Sequence, residues 1–296
     1  MNIPSNLQKI NSQPVYSDWS KTTWFLWLIL PVLLLEFISI FGISYTDGFV
    51  RASYVAFQKD FFIALNAQLS VLPNALWLNM TYLGDGVVVF ALMSFLLIVR
   101  AQAWAAMFAS ILFASVVTNL GKAYFSLPRP ATVLDDSAFN IIGETLIGYS
   151  SFPSGHSITI SFVSVSILAT LLPHPENLKQ SLKLFAGFLV LGIFCLSRVA
   201  VGAHWPMDVV AGAGCGWLVG LVGVSIARVY TSWWQSMLTG KLRFVLVGLL
   251  LLLSGILIVR AFHETDALPI ISLAAMVSLF VSYVLFRFPV RRYSKG

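Results

Sequence analysis

The sequence predicts an all-α integral membrane protein with eight spanning helices and a further helix lying in the membrane interface. Three observations lead there. Of 296 residues, 58% are hydrophobic and only 10% charged, whereas a soluble domain carries about a quarter charged. The mean hydropathy is +0.86. The apolar residues also gather into runs near the ~20 residues that a spanning helix requires. These features exclude a soluble fold. The net charge of +6 does not point to nucleic acid, because the basic residues fall between apolar runs and form no basic face interleaved with aromatics.

The runs lie near Trp24–Ile43, Leu76–Val99, Ala103–Tyr124, Ser154–Leu172, Leu184–Val201, Met207–Tyr230, Leu242–Val259 and Leu268–Phe286. The first is too long for a cleaved signal and lacks a small-residue cleavage site, so it reads as a retained anchor. Between the first two runs, Phe57, Phe61, Leu65, Leu69 and Leu72 recur at helical steps opposite Gln58, Lys59, Asp60, Asn66 and Gln68. Such a segment either lies in the interface as an amphipathic helix or connects two spans as a buried one. Cys195 and Cys215 sit inside apolar runs and read as small buried hydrophobes. Gly212, Gly216 and Gly220 recur every fourth residue, which favours close helix packing.

Lysine and arginine set orientation. With the N-terminus inside, 12 of the 18 fall on the inner side and 6 on the outer. Both termini are therefore expected in the cytoplasm, with the loops after the third, fifth and seventh runs facing outward. Three of the six outward cations stand in chemically suggestive stretches.

The first stretch runs from Lys122 to Arg129-Pro130, with Pro128 setting a bend. Two cations seven residues apart can converge on one anion, although alone they read equally as snorkelling side chains. The second is Pro153-Ser154-Gly155-His156 before an apolar run. Ser154 suits a helix start, Gly155 allows close backbone approach, and free amides at a helix N-terminus cradle phosphate. The third is Ser197-Arg198, then His204 and Asp208. One helical turn lets the Asp208 carboxylate reach the His204 imidazole and support its cationic form. Two histidines, one carboxylate and three cations on one membrane face point to attack on phosphorus.

In order, these stretches read Lys-x6-Arg-Pro, Pro-Ser-Gly-His and Ser-Arg-x5-His-x3-Asp. The sequence resembles the type 2 phosphatidic acid phosphatase (PAP2) family at every motif position from Lys122 to Asp208. The Phe61–Asn66 segment and the Leu83-Gly84-Asp85 turn are also similar to that family. The resemblance implies a six-helix core over residues 24–230, after a cytoplasmic tail of residues 1–23. Residues 231–296 then form an additional two-helix segment with a basic cytoplasmic tail.

It further implies a bacterial inner-membrane lipid phosphatase whose site faces the periplasm or cell exterior. His204 would be the nucleophile, Asp208 its support, and His156 the general acid and base. Lys122, Arg129, Arg198, Ser154 and the Gly155 amide would bind phosphate. No metal or cofactor is implied, and the sequence holds no His, Cys or carboxylate cluster with ligand spacing. A lipid phosphate or diphosphate is the expected partner, undecaprenyl diphosphate first; phosphatidylglycerol phosphate, phosphatidic acid and lipid A phosphate are the other candidates. A phosphotransferase using the same intermediate is the alternative, and a non-catalytic transporter the remote one.

Other features are left open. Glu36 is an acid deep in an apolar run, structural or functional; Asp85 suits a turn or helix start; His174 and His263 lie in loops. The 131–151 connection is long, and is expected to form a lid or part of the headgroup pocket. The oligomeric state is not legible.

Overall fold

The computed structural model describes residues 20–172, 175, 177–264 and 267–288. The N-terminal tail before residue 20, His174 and the basic tail after residue 288 lie outside the described residues. Every regular element among the described residues is helical. In chain order they are α1 (Lys21–Tyr45), α2 (Arg51–Leu69), α3 (Asn74–Tyr82), α4 (Gly86–Val99, with a 3-10 turn at Met93–Phe95) and α5 (Ala101–Phe125). Then come α6 (Gly155–Leu171), α7 (Leu178–Ala200), α8 (Pro206–Val229), α9 (Thr231–Thr239), α10 (Leu242–Ala261) and α11 (Leu268–Arg287).

Of the eight spans expected, six helices among the described residues are by themselves long and apolar enough to cross a bilayer, or seven if the bent pair α2 and α3 counts as one span. The six are α1, α5, α7, α8, α10 and α11. The second and fourth apolar runs form the shorter helices α4 and α6. The run Leu76–Val99 is broken because Gly84 and Asp85 end one helix and start another: the Asp85 side chain accepts the Val88 N–H at 3.0 Å and caps α4. Helix α6, at 17 residues, is about 25 Å long, less than the ~30 Å of a hydrocarbon core. The end of the bundle where α6 starts is completed by α2, α3 and the 126–154 connection.

Helix α2 lies across that end, and α3 continues it at a bend of 110°. The expected amphipathic helix is present, with most of its apolar stripe turned outward. Phe57 and Phe61 are exposed, while Tyr54, Gln58, Phe62 and Asn66 are buried. Against a membrane the outward face is the apolar one, and the inward polar groups bond to the loops of the bundle. Asn66 donates to the carbonyls of Val199 (2.9 Å), Ala200 (3.1 Å) and Asn140 (3.1 Å), and accepts from Asn140 N–H at 2.8 Å.

Helix α8 is the centre of the bundle and packs against α1, α5 and α6. Its glycines make this approach possible. A Cβ at Gly216 would lie 2.3 Å from the Ile158 carbonyl oxygen of α6, and one at Gly212 would lie 2.6 Å from that of Ser154. Gly223 meets α5 in the same way, 2.3 Å from the Ala106 carbonyl oxygen. Because Gly212 presses on the start of α6, the glycine stripe sets how closely Asp208, one turn earlier, approaches Ser154. Helices α10 and α11 form a hairpin that packs on α4.

Gly216→Ala should cost about 1–3 kcal/mol by overpacking, read as a lower Tm in detergent. Gly255→Ala is the control. It lies in α10 with nothing within 4 Å of its absent Cβ, and should be neutral or slightly stabilising.

Candidate active site

Three chain segments deliver the charged side chains to one end of the bundle. Helix α5 carries Lys122 in its last turn and stops at Ser126, whose φ of 47° is left-handed. The chain then turns so that Arg129 precedes a single helical turn at Pro130–Val133. The Ser154 hydroxyl accepts from the N–H of Ser157 and caps α6, which sets His156 in its first turn. Arg198 ends α7, the 201–205 turn carries His204, and Pro206 opens α8 with Asp208 in its first turn. The Ser154 N–H donates to the Asp208 carbonyl at 3.0 Å, joining the second and third stretches directly.

Asp208 is fully buried (0% exposed), and its carboxylate is enclosed by donors. Oδ2 accepts the Ser151 hydroxyl at 2.5 Å and the Trp205 N–H at 2.9 Å. It lies 3.3 Å from His204 Nδ1, and Oδ1 accepts the Tyr54 hydroxyl. A carboxylate facing Nδ1 holds that nitrogen protonated and leaves the Nε2 lone pair available. On the other edge of the ring, Arg129 Nη1 lies 3.4 Å from Nε2 and donates to the Ala203 carbonyl at 3.0 Å. Burial first, then Arg129, Arg198 and Lys122, hold the His204 imidazole well below the usual histidine range. It is therefore neutral, with an unprotonated nitrogen, at pH 7.

Arg129 and Arg198 are 8% and 4% exposed, and Lys122 stands close enough to both to be repelled. Arg198 Nη1 donates to the Thr81 hydroxyl at 2.5 Å, while its buried Nε has no partner. One carboxylate thus stands among three cations, and its oxygens are already occupied. Uncompensated buried charge is costly, and such an arrangement can take an anion. Lys122 Nζ reaches 4.0 Å from the space beside Gly155 where a Cβ would stand. His156 lies within the field of all three cations and of His204. Gly84 packs against it so closely that a Cβ there would lie 2.7 Å from His156 Cβ. No group of three or more His, Cys, Asp or Glu among the described residues stands close enough to hold a metal ion.

All eight residues singled out from the sequence therefore fall at one end of the bundle. Tyr54, Ser151 and Thr81, which complete the first contacts of Asp208 and Arg198, were not singled out. Tyr54 lies far away in sequence and only its four-residue step to Gln58 hints at a polar inward face. Ser151 adjoins the Pro153-Ser154-Gly155-His156 stretch, but its serine carries no spacing signal. The 131–151 connection is pinned rather than free: Arg129 N–H bonds Gly148 O at 2.9 Å, and Ile142 N–H bonds Val201 O at 3.3 Å. It contributes Ser150 O and Ser151 to the site. Glu36 is exposed on α1, away from these groups.

Residues 103–232 match the family model described as PAP2 superfamily. The lipid A 1-phosphatase of Rhizobium etli is 32% identical over 124 residues, 41% of this chain and 50% of that protein. The undecaprenyl-diphosphatase of Sulfolobus acidocaldarius is 30% identical over 117 residues, 38% of this chain and 47% of that protein. The chain thus spans about half the length of the curated relatives it matches. Among solved structures, the transmembrane PAP2-type phosphatidylglycerolphosphate phosphatase of Bacillus subtilis is 20% identical with a TM-score of 0.47. The match covers 68% of this chain and 96% of that one.

Tyr54→Phe should cost about 1–3 kcal/mol, since it removes a donor from a buried carboxylate, and should lower Tm accordingly. For His204 the sign follows from its depressed value. The unfolded chain takes up its proton near pH 6.5 and the folded chain well below that. Stability is therefore full above about pH 6.5 and is lost as pH falls through that value. Melting between pH 7 and 5 should show this slope, and His204→Gln should flatten it in part.

Proposed function

We propose, from the match of residues 103–232 to the PAP2 superfamily model, that the chain is a membrane phosphatase acting on a lipid phosphate or diphosphate. The observation that carries this reading is the imbalance of buried charge. Two buried arginines and the half-buried Lys122 share this end of the bundle with two histidines and one buried carboxylate, and Arg198 Nε lacks a partner. A phosphoryl group fits because its oxygens take guanidinium donors in pairs and helix-start amides singly.

In the proposed reaction the His204 Nε2 lone pair attacks phosphorus as the bond to the lipid oxygen breaks. His156 gives its proton to that departing oxygen. Lys122, Arg129, Arg198, Ser154 and the Gly155 amide hold the non-bridging oxygens as charge develops. Asp208 keeps the Nδ1 proton in place and stabilises the positive ring of the phosphohistidine. His156 then takes a proton from water as the water oxygen attacks phosphorus. The P–N bond breaks, its electrons return to Nε2, and phosphate leaves. The protein's own cations supply the charge stabilisation in this scheme, and no metal or cofactor takes part.

Undecaprenyl diphosphate is the proposed first substrate, because a site on the outer face suits an isoprenoid carrier; phosphatidylglycerol phosphate, phosphatidic acid and lipid A phosphate are its rivals. The proposed setting is a bacterial inner membrane with the site facing the periplasm or cell exterior and both termini in the cytoplasm. Counted with the shorter α4 and α6 also crossing, lysine and arginine divide 12 to 6, and this supports that orientation.

With purified protein in detergent, His204→Ala should abolish phosphate release from a lipid diphosphate, a loss of at least about 10³-fold for a nucleophile, and EDTA should leave wild-type activity intact. Full activity in the variant, or loss with chelator, would overturn the mechanism. Release rates across the four candidate lipids would identify the substrate.

A further inference from the structure

A cavity of about 570 Å³ begins beside His156 and Gly155 and runs between α4, α5, α6 and α10. Its two ends differ. Near His156 it is lined by Thr118, Asn119 and Thr159; farther along by Phe90, Phe108, Phe162, Leu249 and Leu253. Along α5 the lining extends from Thr118 to Trp104, about 21 Å at the rise of an α-helix. That exceeds the ~15 Å of half a hydrocarbon core. A polar mouth at the proposed phosphate site, continuous with a long apolar bore, is the shape of a phosphorylated lipid lying head to tail.

Leu249 and Leu253 belong to α10, beyond the residues 103–232 that match the PAP2 family model. The hairpin that brings them is tied to the same cavity rim. Arg260 Nη1 of α10 pairs with Asp85 Oδ2 at 3.1 Å, and its Nε with Glu264 Oε1 at 3.0 Å. Glu264 also accepts the Tyr82 hydroxyl, and the Asn79 side chain accepts the Ile270 N–H at 3.2 Å. Asp85 follows Gly84, the residue pressed against His156. The tie and His156 therefore meet at the same turn, through Asp85 and Gly84.

We propose that the α10–α11 hairpin supplies one wall of a tail-binding groove, with Leu249 and Leu253 selecting the substrate by its hydrocarbon tail. The inference rests on the phosphatase reading above and deepens it by naming what holds the tail. Arg260, Asp85, Glu264 and Tyr82 position this wall and do not touch the reacting atoms.

Two experiments test it. Leu249→Trp/Leu253→Trp should lower kcat/KM for a long-tailed lipid phosphate about tenfold, the effect of excluding roughly two methylene groups from an apolar site. Hydrolysis of a short-tailed, water-soluble phosphate ester and the Tm should stay unchanged. Equal loss on both substrates would overturn the proposal. The second experiment does not need turnover. A lipid phosphate bearing a photoreactive group in mid-tail should label residues 242–261 of His204→Ala protein in nanodiscs. Unlabelled lipid phosphate should compete, and the corresponding lipid alcohol should not. Labelling elsewhere, or equal competition by the alcohol, would mean ordinary annular lipid and overturn the groove. If the labelling holds but wild-type protein releases no phosphate, the phosphatase reading fails and the tail site stands.

Discussion

The buried carboxylate of Asp208 is the point at which the separate parts of this molecule meet. Removed from water, it must be surrounded by donors, and those donors come from α2 (Tyr54), the 131–151 connection (Ser151), the start of α8 (Trp205 N–H) and His204. Satisfying one charge thereby locks an interfacial helix, a long loop and the start of α8 into register. The imidazole is oriented as a by-product of that satisfaction. Its free nitrogen is then left facing Arg129, in a pocket where positive charge exceeds negative.

The carboxylate can stand there only because α8 comes so near α6. Glycine at 212 and 216 removes the side chains that would hold the two helices apart, and close approach between small residues is how helices associate where no hydrophobic drive exists between them. The same device at Gly84 lets the turn before α4 rest on His156. Through Asp85 and Arg260 that turn reaches the C-terminal hairpin. The chemistry and the proposed tail wall are thus connected by contacts rather than by a moving part.

Much of the fold was legible in the sequence because membrane helices announce themselves by composition. Six apolar runs became long helices whose ends shifted by a few residues. The run at Leu76–Val99 was misread because hydropathy averages over a window and does not register a Gly-Asp break followed by a cap. For α2 the sequence left two settings open, interfacial or buried, for a different reason. Periodicity identifies two faces but not which solvent each meets, and here the apolar face meets the membrane while the polar face bonds to the loops.

Residue identity at fixed spacing was enough to single out Lys122, Arg129, Ser154, Gly155, His156, Arg198, His204 and Asp208, because helix geometry relates residues a turn apart. Spacing cannot relate Tyr54 to Asp208 or Thr81 to Arg198, which lie more than a hundred residues apart. Those pairings follow from how α2 and α3 lie across the bundle, and the long-range fold decides that. So too with the last two helices. Sequence alone made them apolar and separate, whereas packing against α4 and the pairing of Arg260 with Asp85 bring Leu249 and Leu253 to the cavity beside His156.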